Sequence, residues 1–143
     1  MKADAKTENA VRDVLNGMAE SYAKRDLKGL LSLIAPDADV VMYGTGADEK
    51  RIGQEQIKIQ AQRDWSQTES SALDYDWISV SANGNIAWAA ADATFKIKAG
   101  SESMNLPARL TSVLEKRNDR WLIVQAHFSL PASGQAEGES FPA

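Results

Sequence analysis

The chain has 143 residues, of which 43% are hydrophobic and 25% are charged, which is the balance of an ordinary globular domain. A formal net charge of -4, with scattered Lys and Arg residues, argues against nucleic acid or an anionic membrane as the main partner. The absence of cysteine excludes disulfides, thiolate nucleophiles and zinc–thiolate sites.

The N-terminus lacks the apolar stretch of a signal peptide, and no segment approaches the length of a membrane crossing. We therefore expect one domain over residues 1–131, a flexible C-terminal tail over residues 132–143, and a cytoplasmic location. A chain from which a leader has been trimmed would look the same, so export stays an open alternative.

The first part of the chain is predicted to be mainly helical. Apolar residues recur at the spacing of an amphipathic helix, namely Val11, Val14, Leu15, Met18, Ala19 and Tyr22. Asp26 is predicted to cap a short second helix that stops at Pro36, and residues 53–67 form a weaker third helix. Between them we expect a strand at residues 40–43 and a solvated loop tip at residues 48–51.

The second part of the chain is predicted to be β-structure. Four long strands are expected, at residues 73–82, 86–98, 104–116 and 121–130. Polar or Gly-containing turns separate them, at Asn83–Gly84, Gly100–Ser101 and Asn118–Asp119. Helices followed by long strands predict an α+β fold with a curved antiparallel sheet.

Two segments carry a resemblance to a known family. They are Arg25–Asp37, which reads RDLKGLLSLIAPD, and the ending Trp121-x5-His127-Phe-Ser-x-Pro131. Their order and spacing resemble the nuclear transport factor 2-like superfamily, in its SnoaL-like and ketosteroid-isomerase-like branch. The resemblance implies a cystatin-like, cone-shaped half-barrel of curved, mostly antiparallel sheet closed by N-terminal helices. It also implies an internal pocket and, commonly, a homodimer.

The resemblance also allows the isomerase mechanism to be tested against this chain. The family's phenolic proton donor and carboxylate base fall on Met18 and Met42, and its second acid falls near Thr111 or Ser112. A thioether can neither abstract a proton nor donate a strong hydrogen bond. Steroid isomerisation by that mechanism is therefore not expected.

Strand alternation predicts which side chains face the pocket. On the last strand the inward set is Leu122, Val124, Ala126 and Phe128, and on the preceding strand it is Leu106, Ala108, Leu110, Ser112 and Leu114. On the strand from Ile86 the resemblance favours Trp88, Ala90, Asp92 and Thr94 over the alternating alanines. This combination requires an odd-length turn or a bulge near Asn118, because a two-residue loop pairs Ser112 with Gln125.

With that facing, Asp92 is the one carboxylate in an apolar pocket, and we consider it a candidate catalytic acid or base. The alternative is that Asp92 lies near the rim, solvated or bonded to Tyr22 or Ser112. The predicted ligand pocket consists of Met18, Tyr22, Met42, Trp65, Trp88, Ser112 and Phe128.

His127 is the only histidine, and no second ligand accompanies it at metal-site spacing, so no metal site is expected. Alternation places His127 on the outer face of the sheet with Arg109 and Gln125, where we expect a dimer interface. If the facing is reversed, Arg109 and His127 become the polar centre of an alternative pocket.

The sequence thus predicts a homodimeric pocket protein that binds a small apolar or aromatic molecule and uses no cofactor. One alternative is an isomerase, cyclase or hydratase that uses Asp92 as acid or base. Another is a non-catalytic oligomerisation module similar to the association domain of calmodulin-dependent kinase. The pocket arginines of that domain fall on Ala90, Ser112 and Phe128, so its anion-binding cavity is not expected here.

Overall fold

The structure, a computed structural model that describes residues 1–143, contains three helices and one sheet. The helices are α1 (Ala5–Ala23), α2 (Leu27–Ser32) and α3 (Gly53–Ser66). Asp26 caps α2 as predicted, because its side chain accepts a hydrogen bond of 2.9 Å from the Gly29 amide. None of the helices combines the length and the apolar character that a membrane crossing requires.

Six strands form one curved mixed sheet in the order β2-β1-β6-β5-β4-β3. They are β1 (Val41–Tyr43), β2 (Lys50–Ile52), β3 (Ser70–Asn83), β4 (Ile86–Ala99), β5 (Glu102–Arg117) and β6 (Arg120–Ser129). Only β1 and β6 run parallel; every other neighbouring pair is antiparallel. The predicted α+β fold is confirmed. The expected loop tip at residues 48–51 is wrong in its second half, because residues 50–52 pair with β1.

Two-residue turns join the four long strands and fix their register. The β4–β5 turn at Gly100–Ser101 pairs Ala91 with Leu110, and the β5–β6 turn at Asn118–Asp119 pairs Arg117 with Arg120. Both turn residues of the second hairpin have positive φ, 48° at Asn118 and 62° at Asp119, as the right-handed twist of a tight hairpin favours.

A β-bulge in β6 changes which of its side chains face inward. Val113 pairs with Gln125 and Leu114 with Ile123, so Val124 is an extra residue. The required bulge therefore exists, but at Val124 and not beside Asn118. Because it shifts the alternation by one residue, the predicted inward facing of Leu122 and Val124 is wrong. Trp121 and Ile123 are buried in the core with Ala126.

The core lies between α1 and the inner face of the sheet. Val11 and Leu15 of α1 are fully buried in one apolar cluster with Leu114 and Ile123. Tyr75 of β3 ties the helix to the sheet, because its hydroxyl donates to the Leu15 carbonyl at 3.0 Å. This packing closes one part of the inner face and leaves the part beside α3 to form a cavity.

Candidate functional site

A cavity of about 300 Å³ opens between α1, α3 and the inner face of the sheet. Its wall is mainly apolar, and the largest of its apolar side chains include Met18, Met42, Leu73, Phe95, Leu106 and Phe128. Phe95 of β4 and Phe128 of β6 contact each other with ring centroids 5.9 Å apart. Two aromatic rings in contact on the inner face of the sheet give the cavity a wall suited to a flat apolar molecule.

Helix α1 contributes to the cavity through one of its faces. Met18, Ala19 and Tyr22 follow at a spacing of one turn, so they project together toward α3. Tyr22 also packs against Trp65 of α3, with ring centroids 6.0 Å apart. The indole of Trp65 donates to the Tyr22 carbonyl at 3.0 Å, which fixes the end of α1 against α3.

A chain of hydrogen bonds crosses the cavity wall from α1 to β2. The Tyr22 hydroxyl donates to Asp64 Oδ2 at 2.9 Å, and Gln60 Nε2 donates to Asp64 Oδ1 at 2.7 Å. Gln60 Oε1 in turn accepts from Arg51 Nε at 2.8 Å. All four side chains line the cavity. We call Tyr22, Asp64, Gln60 and Arg51 the polar chain.

The β1–β2 hairpin is held against α3 by ion pairs. Arg63 of α3 donates to Asp48 at 2.7 Å and to Glu49 Oε1 at 2.8 Å. Glu49 also accepts from Gln60 at 3.1 Å and, through Oε2, from the Gly46 amide at 2.8 Å. Both carboxylate oxygens of Glu49 are therefore engaged, and its ion-pair partner is Arg63, which it shares with Asp48.

Burial changes the acidity of the polar chain. Partial burial raises the pKa of Asp64 above its ordinary value, although hydrogen bonds from Tyr22 and Gln60 oppose that shift. Burial, together with the neighbouring Asp64 charge, also raises the pKa of Tyr22 well above its ordinary value. Tyr22 therefore stays a neutral phenol, and Asp64 is easier to protonate than an exposed aspartate.

Ser71 of β3 lies beside this chain. It is 5% exposed and lines the cavity, and its hydroxyl approaches the Tyr22 phenol without making a hydrogen bond of good geometry. A buried hydroxyl without a partner costs free energy, because it has lost its hydration.

Four of the predicted pocket residues line the cavity, namely Met18, Tyr22, Met42 and Phe128. Their role in binding a ligand stays a prediction. Trp65 is buried behind Tyr22 and does not line the cavity, so its predicted position there is wrong. Ser112 is also buried outside the cavity; its hydroxyl donates to the Gln125 carbonyl across the β5–β6 pair at 3.0 Å.

The predicted facing of β4 is wrong. Ala87, Ala89, Ala91 and Ala93 are buried on the inner face, whereas Asp92 is exposed on the outer face and Trp88 is 36% exposed there. The reason is the two-residue turn at Gly100–Ser101, which pairs Ala91 with the inward-facing Leu110. Paired residues on neighbouring strands share a face, so Asp92 cannot be an acid or base of this cavity.

The outer face carries the residues predicted for a dimer interface. Arg109, Gln125 and His127 are exposed there and do not line the cavity, so the alternative pocket built on Arg109 and His127 is wrong. His127 contacts Tyr43 of β1, with ring centroids 5.1 Å apart.

No group of three His, Asp or Glu side chains is placed to hold a metal ion.

The polar cavity residues that sequence reasoning missed are Asp64, Gln60, Arg51 and Ser71. Gln60 and Asp64 lie four residues apart beside the apolar stripe of Ile57 and Ala61 on α3, so their spacing places them on one face. That spacing was the available signal. Arg51 has none, because no local pattern marks the short strand β2.

The chain belongs to the SnoaL-like domain family, which its residues 11–133 match. No curated protein sequence matches it. Its fold is that of the nuclear transport factor 2-like superfamily, in agreement with the sequence-based expectation.

Solved structures share this fold at low sequence identity. A nuclear transport factor 2-like superfamily protein from Salmonella enterica serovar Typhimurium has a TM-score of 0.84 and 21% identity, covering 97% of this chain and 100% of that one. A protein from Streptomyces avermitilis, proposed to be a dehydratase of the NTF2-like family, has a TM-score of 0.84 and 15% identity, covering 91% and 100%. A protein from Novosphingobium aromaticivorans, provisionally assigned as a scytalone dehydratase, has a TM-score of 0.77 and 10% identity, covering 92% and 95%.

Proposed function

We propose that this SnoaL-like protein binds a small, largely apolar molecule in the cavity between α1, α3 and the sheet. The observation that carries the proposal is the cavity itself, about 300 Å³, with an apolar wall and one hydrogen-bonded polar chain. Small-molecule sites combine an apolar surface with a few orienting polar groups and typically measure about 300–1,000 Å³. A volume at the lower end of that range favours an occupant of one or two rings.

Filling the cavity tests this proposal. Ala61 is buried on α3 and lines the cavity, so Ala61→Leu takes up space that a ligand needs. Ala23→Leu adds the same atoms at an exposed position at the end of α1. With 2-naphthol as probe, at a hundredfold its dissociation constant, wild type and Ala23→Leu gain about 2.7 kcal/mol of stability in a thermal-shift assay. Ala61→Leu gains much less. Equal gains in all three proteins would show that the probe binds elsewhere.

We also propose that the outer face of the sheet binds a second copy of the chain. Trp77 is 54% exposed on this face and Trp88 is 36% exposed, and exposed apolar surface of this kind is typical of interaction sites. Asp92 and Arg109 lie opposite each other on β4 and β5. In two copies related by a two-fold axis, Asp92 of each copy can therefore form an ion pair with Arg109 of the other.

Sedimentation equilibrium tests the dimer. The wild type is expected as a dimer, and Trp88→Glu as a monomer, because it places a charge in the apolar part of the interface. A wild-type monomer overturns this part of the proposal. A ring larger than a dimer favours the oligomerisation module instead.

A second candidate function is acid–base catalysis by Asp64 in place of Asp92. It is supported by the raised pKa of Asp64 in the cavity wall and by the likeness to two proteins provisionally assigned as dehydratases. A protonated Asp64 would give its proton to a leaving hydroxyl group and then remove a proton from the neighbouring carbon, so that water leaves and a double bond forms. Loss of one water from cyclic β-hydroxy ketones, followed by mass spectrometry, tests it. Turnover that survives in Asp64→Asn would exclude the role.

A further inference from the structure

Two side chains at opposite ends of the polar chain have unused hydrogen-bonding capacity: Arg51, its last member, and Ser71, which lies beside Tyr22. Tyr22, Asp64 and Gln60 bond to one another, with donor–acceptor distances of 2.7 to 2.9 Å. Arg51 lies at one end of this chain, and Ser71 lies beside Tyr22 at the other. Both line the same cavity.

Arg51 is the one basic side chain that lines the cavity, and it has no ion-pair partner. It is half-buried on β2 next to Met42. Of its three guanidinium nitrogens, only Nε has a hydrogen-bond partner in the protein. No carboxylate lies within 4.0 Å of its guanidinium, whereas Arg63 and Arg117 each have two carboxylate partners. A guanidinium fork with free N–H groups matches the two oxygens of a carboxylate.

The acidic groups near Arg51 have their own partners. Asp48 and Glu49 share Arg63 as ion-pair partner, and both oxygens of Asp64 accept hydrogen bonds from Tyr22 and Gln60. The Gln60 amide separates Arg51 from Asp64, accepting from the former and donating to the latter. The protein therefore leaves the terminal N–H groups of Arg51 without an anion.

Ser71 supplies the second open position. Its hydroxyl is buried and has no hydrogen-bond partner, and a hydroxyl can both donate and accept. A ligand oxygen in the cavity would remove the cost of leaving it unpaired.

We infer that the ligand is a cyclic carboxylic acid with a second oxygen, its carboxylate bound by Arg51 and its hydroxyl or keto oxygen bound by Ser71. This inference rests on the proposed function, because it names the chemical class of the molecule in the same cavity. The apolar ring system lies between the two groups, against Phe95 and Phe128.

Matched probes test each half of the inference. The acids are para-hydroxybenzoate and 6-hydroxy-2-naphthoate, which differ in the distance between their two polar groups. Each is compared with its primary amide, which lacks the negative charge, and with its deoxy acid, which lacks the hydroxyl. By calorimetry, the better-fitting hydroxy acid should bind at least about tenfold more tightly than its amide and about fivefold more tightly than its deoxy acid.

Paired variants assign these preferences to residues. Arg51→Gln should abolish the preference for acid over amide, and Arg51→Lys should retain part of it. Ser71→Ala should abolish only the preference for the hydroxyl. The controls are Lys50→Gln and Ser70→Ala, exposed neighbours on the same strands, and both should bind like wild type. Thermal unfolding of each variant confirms that it is folded.

The outcomes separate this inference from the proposed function. Equal binding of acid and amide by the wild type contradicts the inference and leaves the cavity as an apolar binding site. A preference that persists in Arg51→Gln contradicts the role of Arg51 in the same way. If neither the charged nor the neutral probes bind, the proposed function fails and the inference fails with it.

Discussion

Asp64 is the residue on which the polar side of the cavity depends. It accepts hydrogen bonds from two elements, through Tyr22 of α1 and Gln60 of its own helix α3. Its carboxyl group is partly removed from water, yet it has no arginine or lysine within 4.0 Å. Its protonation is therefore linked to the folding of the chain.

The stability of the chain should report this linkage. Because burial raises the pKa of Asp64 above 3.8 in the folded state, the folded chain takes up this proton at a higher pH than the unfolded chain. Between those two pKa values the folded state holds more protons, so this group adds stability as the pH falls. As the pH falls from about 7 to about 4, the free energy of unfolding of the wild type should therefore rise relative to that of Asp64→Asn.

Urea denaturation at several pH values measures this difference. Asp92→Asn is the control, because it removes one carboxyl group from the outer face without touching the polar chain. If the difference in free energy of unfolding between wild type and Asp64→Asn stays constant or decreases as the pH falls, burial does not raise the pKa of Asp64.

The sequence predicted the apolar positions of the site better than the polar ones. Met18 and Tyr22 follow from helix periodicity and Met42 from a short apolar strand, so each lies at the inner surface as expected. Asp64 and Arg51 resemble ordinary surface charges in the sequence. Only the packing of α3 against the β1–β2 hairpin turns them toward the cavity, and that long-range contact has no local pattern.

At the scale of elements, Arg25 controls how α1 meets α3. It adopts a positive φ of 57° after the last turn of α1, a conformation that favours glycine. Its guanidinium nevertheless donates to the carbonyls of Trp65, Thr68 and Glu69, at 2.6 to 2.9 Å. The side chain therefore ties the end of α3 to the corner after α1.

Two substitutions separate the side chain of Arg25 from its backbone. Arg25→Ala keeps the backbone strain and loses the three hydrogen bonds, so it should cost about 2 kcal/mol in chemical denaturation. Arg25→Gly loses the same bonds but relieves the strain, so it should be about 1 kcal/mol more stable than Arg25→Ala. Equal stability of the two variants would mean that the positive φ carries no strain.

The β5–β6 turn offers a stabilising change. Asp119 has a φ of 62°, and its contact with Lys116 is a long, exposed 3.8 Å pair that contributes little. Asp119→Gly creates the Asn-Gly turn that such hairpins favour and should stabilise the chain by on the order of 0.5 kcal/mol. Asp119→Ala should destabilise it. Loss of stability in Asp119→Gly would indicate a turn of another geometry.

On strand β4, the alternation of residue types along the sequence does not show which face is buried. Its sequence places alanines on one face and Ile86, Trp88 and Asp92 on the other, so hydrophobicity alone favours burying the tryptophan. The turn at Gly100–Ser101 carried the deciding information, because it fixes the pairing with β5. The bulge at Val124 is different, since no local signal in β6 marks its position.

At the scale of the whole molecule, the fold is a sheet covered on one face by helices. Helix α1 fills the core, while α3 and the β1–β2 hairpin enclose the remaining space. The SnoaL-like family match explains this arrangement, and the helices and turns that produce it were largely visible in the sequence. The content of the cavity depends on side chains that the fold alone does not specify.

The four methionines of the chain provide the most direct test of the cavity. Met18 and Met42 line it, Met1 is exposed at the N-terminus, and Met104 is exposed on β5, where it pairs with the cavity-lining Ile97. In a protein labelled with carbon-13 at the methionine methyl groups, titration with 6-hydroxy-2-naphthoate should shift the NMR signals of Met18 and Met42. The signal of Met1 should stay in place, and that of Met104 should move less than those of Met18 and Met42. Shifts confined to Met1 and Met104, or no shift at any methionine with this probe and with 2-naphthol, would contradict binding inside the cavity.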